Sequence, residues 1–309
     1  MLLIFGIFIG MGLSLQTLIN SRLRSYSESP FIASLISFSI GTLFLSLLLW
    51  FYPHSSDISL NQLSSFPYWV WIGGALGVVA LTTNILLFPY LGGLQTAIMP
   101  ILGQIIMGLI IDQFGWFNSP VHPINGIKFF GIILVLSGIF CAVILPELRQ
   151  LIRSSNQQTK MIWLWRSLGI IAGMLSATQA SVNGELGRLL HSPLQAAWVS
   201  FSVGTLILLL WVIYQGKLPK LRQLPVHNMP IWVWTGGLLG GIFVFGCSLL
   251  VPQIGTGQTV IATLLGMIIG GLIIDHFAIL NAPQRKIKPI QLLGILILLT
   301  GVMFIRYYG

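Results

Sequence analysis

Apolar residues run through this chain in long unbroken stretches, and polar ones punctuate them at recurring places. Continuous apolar runs lie near 2–20, 31–51, 67–89, 94–115, 127–145, 161–183, 194–214, 230–251, 258–279 and 290–307. About 20 residues suffice to cross roughly 30 Å of hydrocarbon as a helix. A segment at that depth must satisfy its own backbone, so each run predicts a helix. The runs are continuous and do not alternate, which excludes the strands of a closed barrel. The expected fold is an all-α integral membrane protein with ten transmembrane helices. The first run, "MLLIFGIFIGMGLSLQTLIN", lacks a basic leader and has a counterpart mid-chain, so it is expected to stay as a span and not to act as a signal peptide.

The pattern repeats at a constant offset of 163 residues. Gln16 and Asn20 match Gln179 and Asn183, and "SFSIGT" at Ser37–Thr42 matches "SFSVGT" at Ser200–Thr205. Over Pro89–Phe114 against Pro252–Phe277, 15 of 26 positions are identical without a gap. The chain therefore divides into a first five-helix repeat at 1–146, a hydrophilic linker at 147–160 and a second five-helix repeat at 161–309. Five is odd, so the second repeat is expected to enter the membrane from the opposite side, giving inverted topology.

Composition agrees with a lipid solvent. Hydrophobic residues make up 55% of the 309 and charged ones 7%, against about a quarter charged in soluble domains. The net charge of +9 raises the question of nucleic acid, but the basic residues are scattered through short loops. They sort by side: twelve (Arg22, Arg24, Arg149, Arg153, Lys160, Arg166, Lys217, Lys220, Arg222, Arg285, Lys286, Lys288) against three (Lys128, Arg188, Arg306). The positive-inside rule puts the twelve in the cytoplasm and both termini outside. The expected partners are the lipid bilayer and a small-molecule substrate, not nucleic acid. With both halves in one chain, a monomer is expected. Cys141 and Cys247 fall inside apolar runs and are not repeat mates, so no disulfide is expected.

Candidate chemistry starts from the amides. Gln16 and Asn20 are four residues apart on one helical face, and Gln179 and Asn183 repeat that face. An unpaired amide in hydrocarbon costs roughly 2–7 kcal/mol, so these groups face a cavity, another helix or interfacial water. Gln95 and Gln258 open the fourth and ninth runs after "PYLGG" and "PQIGT". They are read either as substrate groups at a helix start or as caps on their own backbone. Asp112 and Asp275, in "GLIIDQF" and "GLIIDHF", are candidates for proton coupling or for bonding a neighbouring helix end. Trp69, Trp71, Trp232 and Trp234 suit the membrane interface. Glycines four apart, such as Gly6/Gly10 and Gly236/Gly240, let helices approach closely. No HExxH, GxSxG or phosphate loop is present. No cofactor, metal or enzymatic activity is expected.

Two inverted five-helix repeats resemble the drug/metabolite transporter superfamily. Within it, "LQTLINSRL" with "SFSIGT", and "QTAIMPILGQIIMGLIIDQF" with "QTVIATLLGMIIGGLIIDHF", are similar to the inner-membrane exporter family of YdcZ type, in its fused two-repeat form. The resemblance covers nearly the whole chain. It implies a transporter of the bacterial inner membrane, an exporter of a small metabolite or drug-like molecule, working by alternating access. A passive channel or a structural membrane subunit is the alternative, and an intramembrane enzyme would need a buried nucleophile–base pair that is not found. The halves differ at Asn84 against Cys247 and at Gln104 against Met267, so a site using those positions would be lopsided. The cargo, the direction of transport and any coupling ion stay open.

Overall fold

The computed structural model describes residues 1–51, 64–147, 159–225, 229–282, 284 and 287–307, and within its helices it leaves the side chains of 88–89, 92–98, 143, 147, 159–160, 222, 281 and 306–307 undescribed. Most of the linker expected at 147–160 thus lies outside the described residues. What is described is helix, short 3-10 or π turns, and connecting loops. In chain order the apolar helices are α1 (Leu2–Ser27), α2 (Pro30–Phe51), α3 (Tyr68–Leu87), α4 (Met99–Phe114) and α5 (Gly126–Ala142). They continue as α6 (Met161–Leu189), α7 (Pro193–Tyr214), α8 (Ile231–Ile254), α9 (Thr256–Phe277) and α10 (Pro289–Ile305). Among the described residues, seven are long and apolar enough to cross a membrane, and α4, α5 and α10 are shorter apolar helices. The protein is an all-α membrane protein.

Several helices run past the apolar windows that predict them. The first window stops at 20 and the sixth at 183, yet the helices continue to Ser27 and Leu189. Hydropathy marks where lipid contact ends, whereas the helix ends where its backbone is capped. For α1 that is Glu28, in the left-handed conformation at φ 51°, with its N–H bonded back to the Arg24 carbonyl. Pro252 does not break α8, which runs on to Ile254, and the break comes at Gly255 with φ 84° and ψ 164°. Such a backbone favours glycine.

In the first half, the backbone is helical throughout Gly73–Phe114, joining α3 and α4. The packing against α6 shows that this run doubles back. Gly73 abuts Asn183 and Gly77 abuts Gln179, antiparallel to α6, whereas Met99 abuts Gly169 and Gly103 abuts Met174, parallel to it. The second half repeats this arrangement: Gly236 on Asn20 and Gly240 on Gln16, antiparallel, then Ala262 on Gly6 and Gly270 on Met11, parallel. The approaches are close. A Cβ at Gly10 would lie 2.0 Å from the Thr263 carbonyl oxygen, and one at Gly173 2.0 Å from that of Pro100.

At the centre, repeat mates touch each other. Phe38 and Phe201 pack with ring centroids 4.9 Å apart, and the Thr42 and Thr205 hydroxyls bond at 2.9 Å. Trp198 Nε1 donates to Ser46 Oγ at 2.8 Å, so α2 and α7 cross antiparallel. A second such pair, α5 with α10, brings Gly131 against Gly301 and Gly138 against Gly294. Two apolar clusters flank the centre, one around Ile105, Val135, Leu265 and Leu298, the other around Phe38, Leu45, Phe201 and Leu208. Large apolar side chains such as Phe8, Leu43, Trp50, Leu206 and Leu296 are exposed on the outside, where lipid would cover them.

Candidate substrate cavity

Between the halves lies a cavity of about 230 Å³, roughly the liquid volume of eight waters. Gln16 and Asn20 of α1 and Gln179 of α6 line it. Their positions follow from the glycines opposite. Gln16 rests on Gly240 and Gln179 on Gly77, where an added Cβ would lie 2.5 and 2.6 Å from the amide nitrogens. The repeated glycines of α3 and α8 thus receive amide side chains, while Gly10 and Gly173 serve helix contact. Phe38 and Phe201 supply apolar wall, and Ser37, Asn84 and Gln104 add polar groups.

The lining is rich in polar atoms that the protein leaves unbonded. Gln16 Oε1, both amide atoms of Asn20, Ser37 Oγ and Asn84 Oδ1 are buried without a hydrogen-bond partner. Buried polar groups ordinarily find one, and leaving one unmatched costs about 1–3 kcal/mol. Five of the twelve such side-chain atoms among the described residues belong to residues that line this one cavity.

Among the described residues, the cavity lining extends toward one end of the bundle. α3 starts beside the end of α6, with Gly73 at Asn183, and finishes beside the end of α1, where Arg24 Nη1 donates to the Ile85 carbonyl at 2.5 Å. Those two ends are therefore opposite. Ser21, Arg24 and Asn84 carry the cavity to the α1 end. At the α6 end, the repeat mates of Ser21 and Arg24 are Gly184 and Gly187, and both pack closely: Cβ atoms there would meet Val251 at 2.9 Å and Pro193 at 3.3 Å.

Further bonds seal the α6 end. Asp112 Oδ1 accepts from Thr256 N and Oδ2 from Gly257 N, each at 2.8 Å, so one carboxylate caps the start of α9. Ser119 Oγ bonds Thr256 Oγ1 at 3.0 Å, and His122 N donates to the Asp112 carbonyl at 2.8 Å. Lys128 Nζ donates to the His122 carbonyl. Glu185, 4% exposed, accepts from Asn118 Nδ2 at 2.9 Å and from both arms of Arg188 at 2.6 and 2.7 Å.

The sequence candidates separate accordingly. Gln16, Asn20 and Gln179 meet at the cavity. Asn183 is buried away from it, its Nδ2 bonded to Ser200 Oγ at 3.1 Å. Gln258 is buried near the start of α9, beside Leu3 and Ile305. The side chain of Gln95 lies outside the described residues. Asp112 is 1% exposed in the seal, and Asp275 is half-buried at the far end of α9. Arg24 and Glu185 were not singled out by sequence reading. Both follow the polar Asn20 or Asn183, where hydropathy says the span has ended, and only the continuing helix turns them inward.

Comparison with known proteins agrees with this architecture. The family described as "Putative inner membrane exporter, YdcZ" matches residues 1–141 and 164–304, two stretches whose starts (164 − 1) and ends (304 − 141) both differ by 163 positions. The chain is 28% identical over 136 residues to "Inner membrane protein YdcZ" of Escherichia coli (strain K12), covering 44% of this chain and 90% of that protein. A solved crystal structure is similar over 98% of both chains, with a TM-score of 0.66 at 11% identity. At that identity the likeness shows the fold alone.

Proposed function

We propose a function from the premise that this chain belongs to the YdcZ family of inner-membrane exporters: it moves a small polar molecule through the cavity between its halves by alternating access. The observation that carries this reading is the set of unbonded amide and hydroxyl atoms around a cavity open at one end and sealed at the other. The seal weighs against a passive channel, and the grouping of unbonded polar atoms at one cavity weighs against a purely structural subunit.

The two halves are read as inverted repeats. Support comes from the antiparallel crossing of α2 with α7 and from mates touching at Thr42 and Thr205, as a twofold axis in the membrane plane would produce. Exchanging the conformations of the halves would seal the α1 end and open the α6 end. The basic residues are read as marking the cytoplasm, so both termini face outside and the present cavity opens inward. Alkaline phosphatase fused to the C-terminus should then be active, and a cytoplasm-only fluorescent reporter glowing there would overturn the orientation.

Gln16, Asn20 and Gln179 form the shared substrate site, with Asn183, Gln95 and Gln258 candidates to join it in the exchanged state. Asp112 and Asp275 carry any proton coupling. The test begins with a thermal-shift screen of the purified protein against amino acids, sugars, nucleosides, organic acids and cationic drugs. Flux of the stabilising compound into proteoliposomes is then measured for Gln16→Leu and Gln179→Leu. Both variants should keep normal membrane abundance and lose most of the saturable flux. Non-saturating flux would mean a channel, and loss of folded protein in step with lost flux would mean a packing role. In vesicles with a pH gradient, accumulation surviving in both Asp112→Asn and Asp275→Asn would remove the coupling role.

A further inference from the structure

Among the described residues, Arg24 is the one charged side chain that lines the cavity, and no Asp or Glu does. Among the described residues no carboxylate pairs with Arg24, and the side-chain bond it makes to them is from Nη1 to the Ile85 carbonyl at 2.5 Å. That carbonyl is open because residue 89 is proline, which has no N–H to complete the helical bond. The bond fixes the guanidinium at the cavity wall. A guanidinium has five N–H donors, so most remain for a guest, in a fork that matches a carboxylate or phosphate.

Mending the helix at Pro89 does not by itself demand a cation. α8 carries Pro252 at the matching position, and there the mate of Arg24 is Gly187, with the Ser248 carbonyl 3.5 Å from where its Cβ would stand. A fixed positive charge beside low-dielectric walls sets the sign of the potential in the cavity.

We infer that the substrate is a small organic anion, its charged oxygens paired by Arg24 and its apolar body against Phe38, Phe201 and Phe243. The inference rests on reading the cavity as the substrate site. The unbonded amide oxygens of Gln16 and Asn84 accept from the guest's donors, and the Asn20 amide, unbonded at both atoms, can donate or accept. In the exchanged state, Gly187, Cys247 and Met267 replace Arg24, Asn84 and Gln104 by the repeat offset. At that end Arg188 is already paired with Glu185, so the anion loses the partner that Arg24 gave it, which favours release at the α6 end.

The experiment compares three aromatic probes of similar size and different charge on the purified full-length protein: benzoate, benzamide and benzylammonium. Binding is read by calorimetry and by thermal shift. Benzoate should bind at least about tenfold more tightly than benzamide, as a charge-assisted bond predicts, and benzylammonium more weakly still. Arg24→Gln should erase the benzoate preference, and Arg24→Lys should keep most of it. Benzamide or benzylammonium binding as tightly as benzoate, with Gln16→Leu weakening it, overturns the anion assignment and leaves the cavity standing. Binding of none of the three, or binding indifferent to Gln16→Leu, removes the cavity as the site and the anion with it. If Arg24→Gln does not fold, the charge preference of the unaltered protein decides alone.

Discussion

At the α6 end Asn183 donates to Ser200 at 3.1 Å, while at the α1 end the corresponding Asn20 and Ser37 are buried and both unbonded. The residue types are the same, so the difference comes from what surrounds them. Beyond Asn183 the helix presents Gly184 and Gly187, which allow α8 and α7 to close in. Beyond Asn20 it presents Ser21 and Arg24, and the helices stand apart around a cavity. The two halves thus hold two arrangements of one Asn–Ser pair, bonded at the α6 end and unbonded at the α1 end.

That contrast can be broken at several points. The largest effect is expected where the seal is strongest. Asp112→Ala strips a charged acceptor from Thr256 N and Gly257 N, and should destabilise the protein by about 3 kcal/mol, since bonds to a charged group contribute roughly 1.5–3 each. Thermal unfolding in detergent would show it. An unchanged melting temperature would mean the carboxylate does not hold α9.

Next comes accessibility at one repeat position on the two sides. Native Cys247 is 3% exposed, and its mate Asn84 lines the cavity. Asn84→Cys should react with a small maleimide at least about tenfold faster than Cys247, a difference of about 1.4 kcal/mol in opening. Equal rates would erase the distinction between open and sealed ends.

A finer comparison uses the serines. Ser200→Ala removes the bond from Asn183 and should cost about 1 kcal/mol. Ser37→Ala removes an unbonded hydroxyl and should cost much less. Equal costs would show that the Asn–Ser pairs do not differ between the ends.

The smallest effect belongs at the axis, equidistant from both. Thr42→Val deletes the bond between mates and should cost about 0.6 kcal/mol, the average for such bonds in membranes. A loss of several kcal/mol would make this contact a pivot and not a bystander.

Much of the bundle is legible in residue order because bilayer physics leaves few options. An apolar run of 20 residues must be a helix, and the offset of 163 pairs each element with its mate. Gln16 and Gln179 could be found as amides four residues from a second amide inside apolar runs. Helix ends were less legible, because α1 and α6 keep their backbone bonds well past the last apolar residue.

What sequence could not separate is the fate of identical residues. Asn20 and Asn183 each stand four residues after a glutamine, and that shared pattern does not distinguish a lining amide from a bonded one. Arg24 read as one more cytoplasmic base, and Asp112 as the equal of Asp275. Their roles depend on which helix end stands opposite: a carbonyl left open by a proline for Arg24, the N–H groups of Thr256 and Gly257 for Asp112. Side-chain chemistry and helix formation are local and so are written in residue order. The partner a polar group finds depends on helices more than 60 residues away in the chain, and packing alone sets that distance.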